Sequence, residues 1–459
     1  MIKRFLQQEA HIGLLIAGII AVVYLPFLIH LLQFPKVFPV YGDGQYYVTV
    51  ADNLLYRSTF SDSLQAPFLP TSFVMPLYPF LLALWKGVFG SYTLFALAQM
   101  AMAGFTAFLI YKIGKKLFSE RVGLFASLLF MLDPTTIFHS LIIMTDVPYV
   151  FLVVSSVYFL FFSDKKNKPT VFFSGLLFGL AMLTRVISMF LPILIVPLYF
   201  LVQRKRMATK TIIINLALLA LAYSVVVVPW VARNKIVSGV WGIAGEKSLN
   251  LFQYYVPEFL SFKRGISADE GRNILMADLK RETGLSEIKD LGSLVLAPFE
   301  EKIALGYIKA DIFGYAKFHL IKTIPFFLSS QMKNSLIFYN NAVEYKAYDT
   351  NSGNMTTLLS HGRLKEFFSE LTVSPLVSFE EIFWICISLL AFLGFVFSKD
   401  KRYSVFFVAM IFYFAILTGP MAYSRYRLPA TPFIFLLASF GASVVLGRCR
   451  NFSGRNKVT

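Results

Sequence analysis

About ten stretches of predominantly apolar residues, each about 17–23 residues long, recur along this chain and restrict what it can fold into. A helix needs about 20 such residues to cross the hydrocarbon core of a bilayer. Because helices satisfy their own backbone polar groups in lipid, these stretches predict an all-α polytopic membrane protein with about ten transmembrane helices. The predicted spans are residues 10–32, 91–111, 121–139, 146–163, 170–186, 187–203, 211–231, 380–398, 403–420 and 428–447.

The charge content also excludes an ordinary soluble protein. Charged residues make up 15% of the chain and hydrophobic residues 57%, whereas soluble domains contain about 25% charged residues. In a soluble protein the net charge of +17 would favour nucleic-acid binding. Here the basic residues form short clusters between apolar stretches, which is the pattern that sets membrane topology, so no nucleic-acid partner is predicted.

The Lys and Arg clusters set the predicted orientation. With ten spans, all of these clusters fall on one side of the membrane, which the positive-inside rule identifies as the cytoplasm. Both termini then lie in the cytoplasm, and the protein is assigned to the plasma (inner) membrane. The clusters are Lys3 and Arg4; Lys112, Lys115, Lys116 and Arg121; Lys165, Lys166 and Lys168; Arg204, Lys205, Arg206 and Lys210; Lys399, Lys401 and Arg402; and Arg448, Arg450 and Arg455.

The outer face receives the remaining connections. They are the loop 33–90, the turn 140–146, the segment 232–379 and the turn 421–427. The chain therefore divides into an N-terminal transmembrane module (1–231), an outer-face segment with interfacial helices (232–379), and C-terminal transmembrane helices with a cytoplasmic tail (380–459). Within the second part, the amphipathic stretch 314–329 suits either a helix in the membrane interface or the packed face of a small helical domain.

Two aspartates at the predicted outer face are candidate catalytic residues. Asp43 lies between two glycines just past a span, and glycine allows the backbone to approach a ligand closely. Asp146 lies at the outer end of another span, where a carboxylate is costly unless it is used. Both residues also fit a purely structural role, since each could be a helix cap or a solvated loop residue. Asp133 ranks lower, because an Asp-Pro pair commonly marks a broken helix.

Four arginines at the same face are candidate phosphate-binding residues. Arg185 follows Leu183-Thr184, Arg233 follows a span, and Arg425 and Arg427 flank Tyr426 in the last outer turn. Interfacial arginines often only extend to lipid headgroups. Arginines at the outer boundary run against the positive-inside bias, however, and the guanidinium fork suits phosphate.

Taken in order, these motifs resemble the GT-C glycosyltransferases, and within them the bacterial branch akin to protein O-mannosyltransferases and the aminoarabinose transferase of lipid A. The resemblance covers most of the chain. It rests on Asp43-x-x-Tyr46-Tyr47 with Ala51-x-Asn53-Leu54, Met75-Pro76-Leu77-Tyr78-Pro79, Thr145-Asp146-Val147-Pro148, Gly179-Leu180-Ala181-x-Leu183-Thr184-Arg185, Pro229-Trp230-x-x-Arg233-Asn234, and Arg425-Tyr426-Arg427-Leu428-Pro429.

The resemblance implies a polyprenyl-phosphate sugar donor and a glycan, lipid or protein acceptor at the outer face. It implies that Asp43 is the base in an inverting single displacement and that Asp146 belongs to the same cavity. The expected substrate-binding residues are Arg185, Arg233, Arg425, Tyr426, Arg427, Tyr46 and Tyr47. Two departures stand out: Gly44 follows Asp43 where many relatives have Glu, and Val74-Met75-Pro76 replaces Glu-Lys-Pro, which argues against bound zinc and against lipid A as the acceptor.

The sequence leaves the cofactor open and allows other functions. The sequence identifies no cofactor, and a divalent metal ion is left open because the histidines, His11, His30, His139, His319 and His361, show no ligand spacing. A transporter or flippase for lipid-linked intermediates is the main alternative, although such proteins place polar residues near mid-membrane and many show repeats. A non-catalytic scaffold would need no acidic pair at all.

Overall fold

A computed structural model describes residues 2–33, 40, 42–163, 167–288, 290–332, 335 and 375–455, and all regular structure within them is helical. The α-helices are α1 Ile2–Ile19, α2 Leu25–Leu31, α3 Gly44–Arg57, α4 Leu77–Phe89, α5 Phe95–Leu117, α6 Glu120–Leu132, α7 Pro134–Leu141, α8 Asp146–Val157, α9 Lys168–Met182, α10 Leu191–Gln203, α11 Thr209–Ser238, α12 Glu246–Leu249, α13 Val256–Arg264, α14 Ala268–Thr283, α15 Ala297–Ala310, α16 Ile312–Thr323, α17 Pro325–Leu328, α18 Pro375–Phe397, α19 Lys401–Thr418, α20 Ser424–Arg427 and α21 Thr431–Arg455.

Some sequence predictions concern residues outside this description. They are the loop positions 34–39 and 41, Lys165 and Lys166 of one basic cluster, His361, and the stretch 336–374 of the predicted outer-face segment.

Each predicted span falls on one helix or on consecutive helices. Within the described residues, six helices are long and apolar enough to cross a membrane, or seven when the bent pair α6–α7 is counted as one span. The helices over the other three predicted spans, α8 with its extension to Phe162, α9 and the apolar part of α21, are shorter. The all-α polytopic membrane class is confirmed, whereas the number ten is not. The apolar helix α4, inside the predicted first outer loop, was not foreseen from the sequence.

The third predicted span is broken at Asp133. Helices α6 and α7 meet there at an angle of 53°. Asp133 has an extended backbone, and its carboxylate accepts hydrogen bonds from the Thr136 amide at 2.9 Å and the Thr136 hydroxyl at 3.0 Å. Proline fits at the first position of a helix because its missing amide hydrogen is not needed there. The Asp-Pro pair thus breaks the span, as its sequence indicates.

Glycines allow several helices to pack backbone to backbone. A β-carbon at Gly175 of α9 would lie 2.5 Å from the Leu219 carbonyl oxygen of α11, and one at Gly441 of α21 would lie 2.0 Å from the Leu390 carbonyl oxygen of α18. Membrane helices associate through such small-residue contacts, because lipid supplies no hydrophobic driving force between them. These glycines therefore hold the bundle together.

Replacing Gly441 with leucine is expected to lower the free energy of unfolding by about 1–3 kcal/mol, because the added side chain forces α18 and α21 apart. Gly447 lies on the same helix with open space around it, so Gly447→Leu is the matched control and should leave stability nearly unchanged. Thermal unfolding in detergent measures both variants. Equal unfolding midpoints for the two would contradict this account of the packing.

Helices α12–α17 follow α11 in the chain. Their small core contains Phe252, Val256, Leu260, Leu275, Leu279 and Ala304. Helix α16, which covers most of the amphipathic stretch 314–329, buries Phe318 against Phe259 and Phe262 while Leu320 stays exposed. One face of α16 therefore packs against this core, and another face exposes apolar side chains.

Candidate active site

The N-terminus of α3 brings Asp43 against the turn between α7 and α8. Gly42 has a φ of 53°, in the left-handed region that suits glycine, and α3 starts directly after Asp43. A β-carbon at Gly44 would lie 2.7 Å from the Ile143 carbonyl oxygen, so only glycine allows this close approach. The Asp43 carboxylate makes no capping hydrogen bond to α3, and it is therefore available to other groups.

Asp146 is the first residue of α8, yet it does not cap the helix. Its neighbour Thr145 occupies the cap position without a side-chain hydrogen bond. The fully buried Asp146 carboxylate instead accepts hydrogen bonds from two guanidinium groups, those of Arg185 and Arg425. The Arg425 Nε lies 3.1 Å from Asp146 Oδ2. The capping alternative allowed by the sequence is thus not the role seen in the structure.

Arg425 joins the two aspartates. While its Nε donates to Asp146, its Nη1 donates to Asp43 Oδ2 at 2.9 Å. We call Asp43, Asp146, Arg185 and Arg425 the acid–arginine cluster. Its members come from four separate parts of the chain, so the cluster exists only when the first loop, α8, the end of α9 and the turn after α19 are assembled.

The cluster is open to solvent on one side only. The side chain of Asp146 is 0% exposed, that of Arg425 10% and that of Arg185 14%, whereas that of Asp43 is 57% exposed. Two carboxylates and two guanidinium groups give the cluster a formal charge of zero. Asp43 is therefore the one member that can meet a substrate without first breaking a buried ion pair.

Aromatic side chains surround the guanidinium groups. The ring of Tyr426 lies 5.7 Å from the guanidinium carbon of both Arg185 and Arg425, and the Tyr149 ring lies 5.9 Å from that of Arg185. Such cation–π contacts favour a fixed position for the charge. Tyr46 lies outside this shell, is half exposed, and packs edge-on to Phe73.

Two predicted arginines are not brought into the cluster. Arg233 donates to the Thr71 carbonyl oxygen at 2.6 Å, and its guanidinium lies 4.8 Å from the Trp230 ring centre. Arg427 is fully buried and donates to the carbonyl oxygens of Phe326 at 3.1 Å and Ser329 at 2.9 Å. Both side chains therefore bind backbone oxygens between segments of the fold.

Glu246 is a charged residue near the cluster that the sequence analysis missed. It starts α12 and interacts electrostatically with Arg185, Asp43 and Arg425. Burial raises the pKa of its carboxyl, and Asp43 adds to that rise while the two arginines oppose it. No motif marks Glu246 in the sequence, because it lies in a long mixed segment whose folding depends on tertiary contacts.

The donor set does not fit a divalent metal ion. Within the described residues, no three His, Cys, Asp or Glu side chains gather into a group that could hold one. Both oxygens of Asp146 already accept hydrogen bonds from arginine, and one oxygen of Asp43 does so too. A metal ion at Asp146 would have to displace these arginines, so the acid–arginine cluster does not by itself form a metal site.

Comparison with known proteins gives a family match over part of the chain. The family model described as dolichyl-phosphate-mannose-protein mannosyltransferase matches residues 70–230. No curated protein sequence matches the chain.

Solved structures match the chain at low sequence identity, and the one with a TM-score above 0.5 shares its fold. The apo oligosaccharyltransferase of Archaeoglobus fulgidus is 11% identical, with a TM-score of 0.52, over 98% of this chain and 52% of that protein. The oligosaccharyltransferase AglB of that organism, in complex with an inhibitory peptide and a dolichol-phosphate, has a TM-score of 0.45 at 10% identity, over 91% of this chain and 48% of that protein. ArnT of Cupriavidus metallidurans, bound to undecaprenyl phosphate, has a TM-score of 0.40 at 12% identity, over 93% of this chain and 77% of that protein.

The chain spans about half the length of the oligosaccharyltransferases that it matches. The predicted resemblance is confirmed by the family match together with the fold. The chain is therefore a multi-pass membrane protein with the GT-C glycosyltransferase fold, and it resembles the protein O-mannosyltransferases in the segment that carries Asp146 and Arg185.

Proposed function

We propose that this protein is a glycosyltransferase that moves a sugar from a polyprenyl-phosphate donor to an acceptor hydroxyl. The observation that carries the proposal is the geometry of the acid–arginine cluster, in which one solvent-exposed carboxylate lies beside buried guanidinium groups. The family match supports the donor class, because the family description names a lipid-phosphate sugar. The GT-C fold supports the reaction class.

Asp43 is the proposed base. Its Oδ2 accepts from Arg425, and its Oδ1 has no hydrogen-bond partner among the described residues. That free oxygen accepts the proton of the acceptor hydroxyl as the hydroxyl oxygen attacks the anomeric carbon of the sugar. General-base catalysis of this kind contributes typically about 10²–10⁴-fold to the rate.

The arginines stabilise the departing phosphate. As the new C–O bond forms, the bond between the anomeric carbon and the phosphate oxygen breaks, and its electron pair stays on the lipid phosphate. Protonation of Asp43 changes the formal charge of the cluster from zero to +1 at that moment. Arg425, released from its ion pair, then faces the phosphate as negative charge grows there, and preorganised charge of this kind is usually the largest catalytic contribution. A single displacement of this type inverts the anomeric centre.

The other site residues have supporting roles in this proposal. Asp146 positions Arg185 and Arg425, since it is fully buried and binds both. Tyr47 and Tyr426 line the reaction site, and the exposed Tyr46 lies at its entrance. Arg233 and Arg427 contribute through the backbone carbonyl groups that they hold, and not through substrate contact.

The proposed location of the reaction is the outer face of the plasma (inner) membrane, with both termini in the cytoplasm. Helices α9 and α19 support it: each has basic residues at its start, Lys168 and Arg402, and leads at its other end to a cluster arginine. The positive-inside rule places the starts of these helices in the cytoplasm. The acid–arginine cluster then opens away from it.

The test is turnover of purified protein with a panel of undecaprenyl-phosphate sugars that carry a hexose, a pentose or an amino sugar. Mass spectrometry should detect free undecaprenyl phosphate together with the sugar, on water or on an added acceptor. Unchanged lipid-linked sugar across the panel, with lipid moved between the leaflets of a vesicle instead, would contradict the proposal and favour a flippase.

A further inference from the structure

The turn before α12 holds Glu246 in one place. The Gly245 amide donates to the Ser72 carbonyl oxygen at 3.2 Å, and the Trp230 Nε1 donates to the Ile243 carbonyl oxygen at 2.8 Å. A β-carbon at Gly245 would lie 1.6 Å from the Gly292 carbonyl oxygen, so two chain segments touch directly behind the glutamate. Glu246 is thus fixed from both sides before any substrate binds.

The Glu246 carboxylate has no protein partner in this position. Among the described residues it makes no hydrogen bond and no ion pair, although Arg185 and Arg425 are close enough to interact with it electrostatically. Those two arginines are committed to Asp146 and Asp43. A partly buried carboxylate without a protein partner leaves acceptor oxygens with which a ligand can form hydrogen bonds.

Tyr47 carries a second polar group that has no partner among the described residues. Its ring packs edge-on to Tyr78, with 5.1 Å between the ring centres, and fixes its direction. Its hydroxyl has no hydrogen-bond partner within the described part of the chain. Burial raises the pKa of that hydroxyl, and Glu246 and Asp43 raise it further, so the phenol stays protonated as a donor. Tyr47 and the turn that carries Glu246 pack against the same core cluster, so a donor and an acceptor lie close together near Asp43.

The chemistry of this pair suits sugar hydroxyls. A carboxylate repels phosphate, whereas a hydroxyl both donates to a carboxylate and accepts from a phenol. Both groups interact electrostatically with Asp43, the proposed base, so they are placed to meet the sugar whose anomeric carbon reacts there. We propose that Glu246 and Tyr47 form the subsite that binds hydroxyl groups of the transferred sugar, an inference that rests on the proposed function.

The experiment separates recognition of the sugar from recognition of the lipid phosphate. Glu246→Gln should lower kcat/KM for the undecaprenyl-phosphate sugar that the wild-type protein uses best by about 10–100-fold, as expected for a hydrogen bond to a charged group. Tyr47→Phe should lower it by about 3–10-fold. Undecaprenyl phosphate, which has no sugar, should inhibit both variants as strongly as it inhibits the wild-type protein.

Glu301→Gln is the matched control. Glu301 forms an ion pair with Lys247, the residue next to Glu246, at 2.9 Å, and it lies outside the subsite. The Glu301→Gln variant should therefore transfer sugar with wild-type kinetics. Thermal unfolding of every variant identifies loss of structure. Wild-type kinetics for Glu246→Gln would contradict the proposed subsite. So would a loss of undecaprenyl phosphate binding as large as the loss of donor binding. If the wild-type protein binds neither lipid, the proposed function itself is contradicted.

Discussion

Asp43→Asn is expected to reduce sugar transfer by about 10²–10⁴-fold while it leaves the unfolding midpoint nearly unchanged. Asparagine keeps the shape of the side chain but cannot accept the acceptor proton. The structural cost is small because Asp43 is 57% exposed and its partner Arg425 retains Asp146. Transfer from an undecaprenyl-phosphate sugar, followed by mass spectrometry, measures the loss.

An aspartate on the helix that follows Asp43 supplies the control. Asp52 of α3 binds Lys86 at 2.7 Å and Tyr92 at 2.6 Å, away from the acid–arginine cluster. Asp52→Asn removes the same charge and should retain wild-type transfer. A purified Asp43→Asn protein that transfers sugar at nearly the wild-type rate would show that Asp43 is not the base.

Much of the fold is predictable because lipid imposes simple rules. Long apolar stretches must be helices, and each predicted span falls on one helix or on consecutive helices. The same rules explain why sequence analysis finds Asp43, Asp146 and Arg425. Charged groups at the end of a span are costly to hold there, so their presence indicates use or pairing. The structure shows pairing, since Arg425 binds the two aspartates.

The partner of each arginine is harder to predict. Arg425 and Arg427 are two residues apart, yet one binds carboxylates and the other binds backbone carbonyl groups of the segment 326–329. Both patterns suit a guanidinium group, and only tertiary packing decides between them. Glu246 was missed for a similar reason, because its distance in sequence from Asp43 hides their proximity. Helix α4 was missed because it is too short to be a span.

Asp146→Asn is expected to lower both the stability of the protein and its sugar transfer, whereas Asp43→Asn lowers transfer alone. The Asp146 change leaves Arg185 and Arg425 without their common buried carboxylate, and loss of one partner from a buried ion pair costs about 3–5 kcal/mol. The unfolding midpoint in detergent should therefore fall clearly below that of Asp43→Asn. Transfer should also be lost, because the released arginines no longer hold their positions.

A double variant distinguishes this electrostatic cause from a general packing defect. Arg185→Gln combined with Asp146→Asn removes one positive charge with the negative one, so Arg425 keeps Asp43 and the cluster returns to a formal charge of zero. The double variant should then be more stable than the sum of the two single changes predicts, because the residues interact directly. Purely additive losses of stability would mean that Asp146 does not stabilise the site through its arginines. The proposed positioning role of Asp146 would then be contradicted.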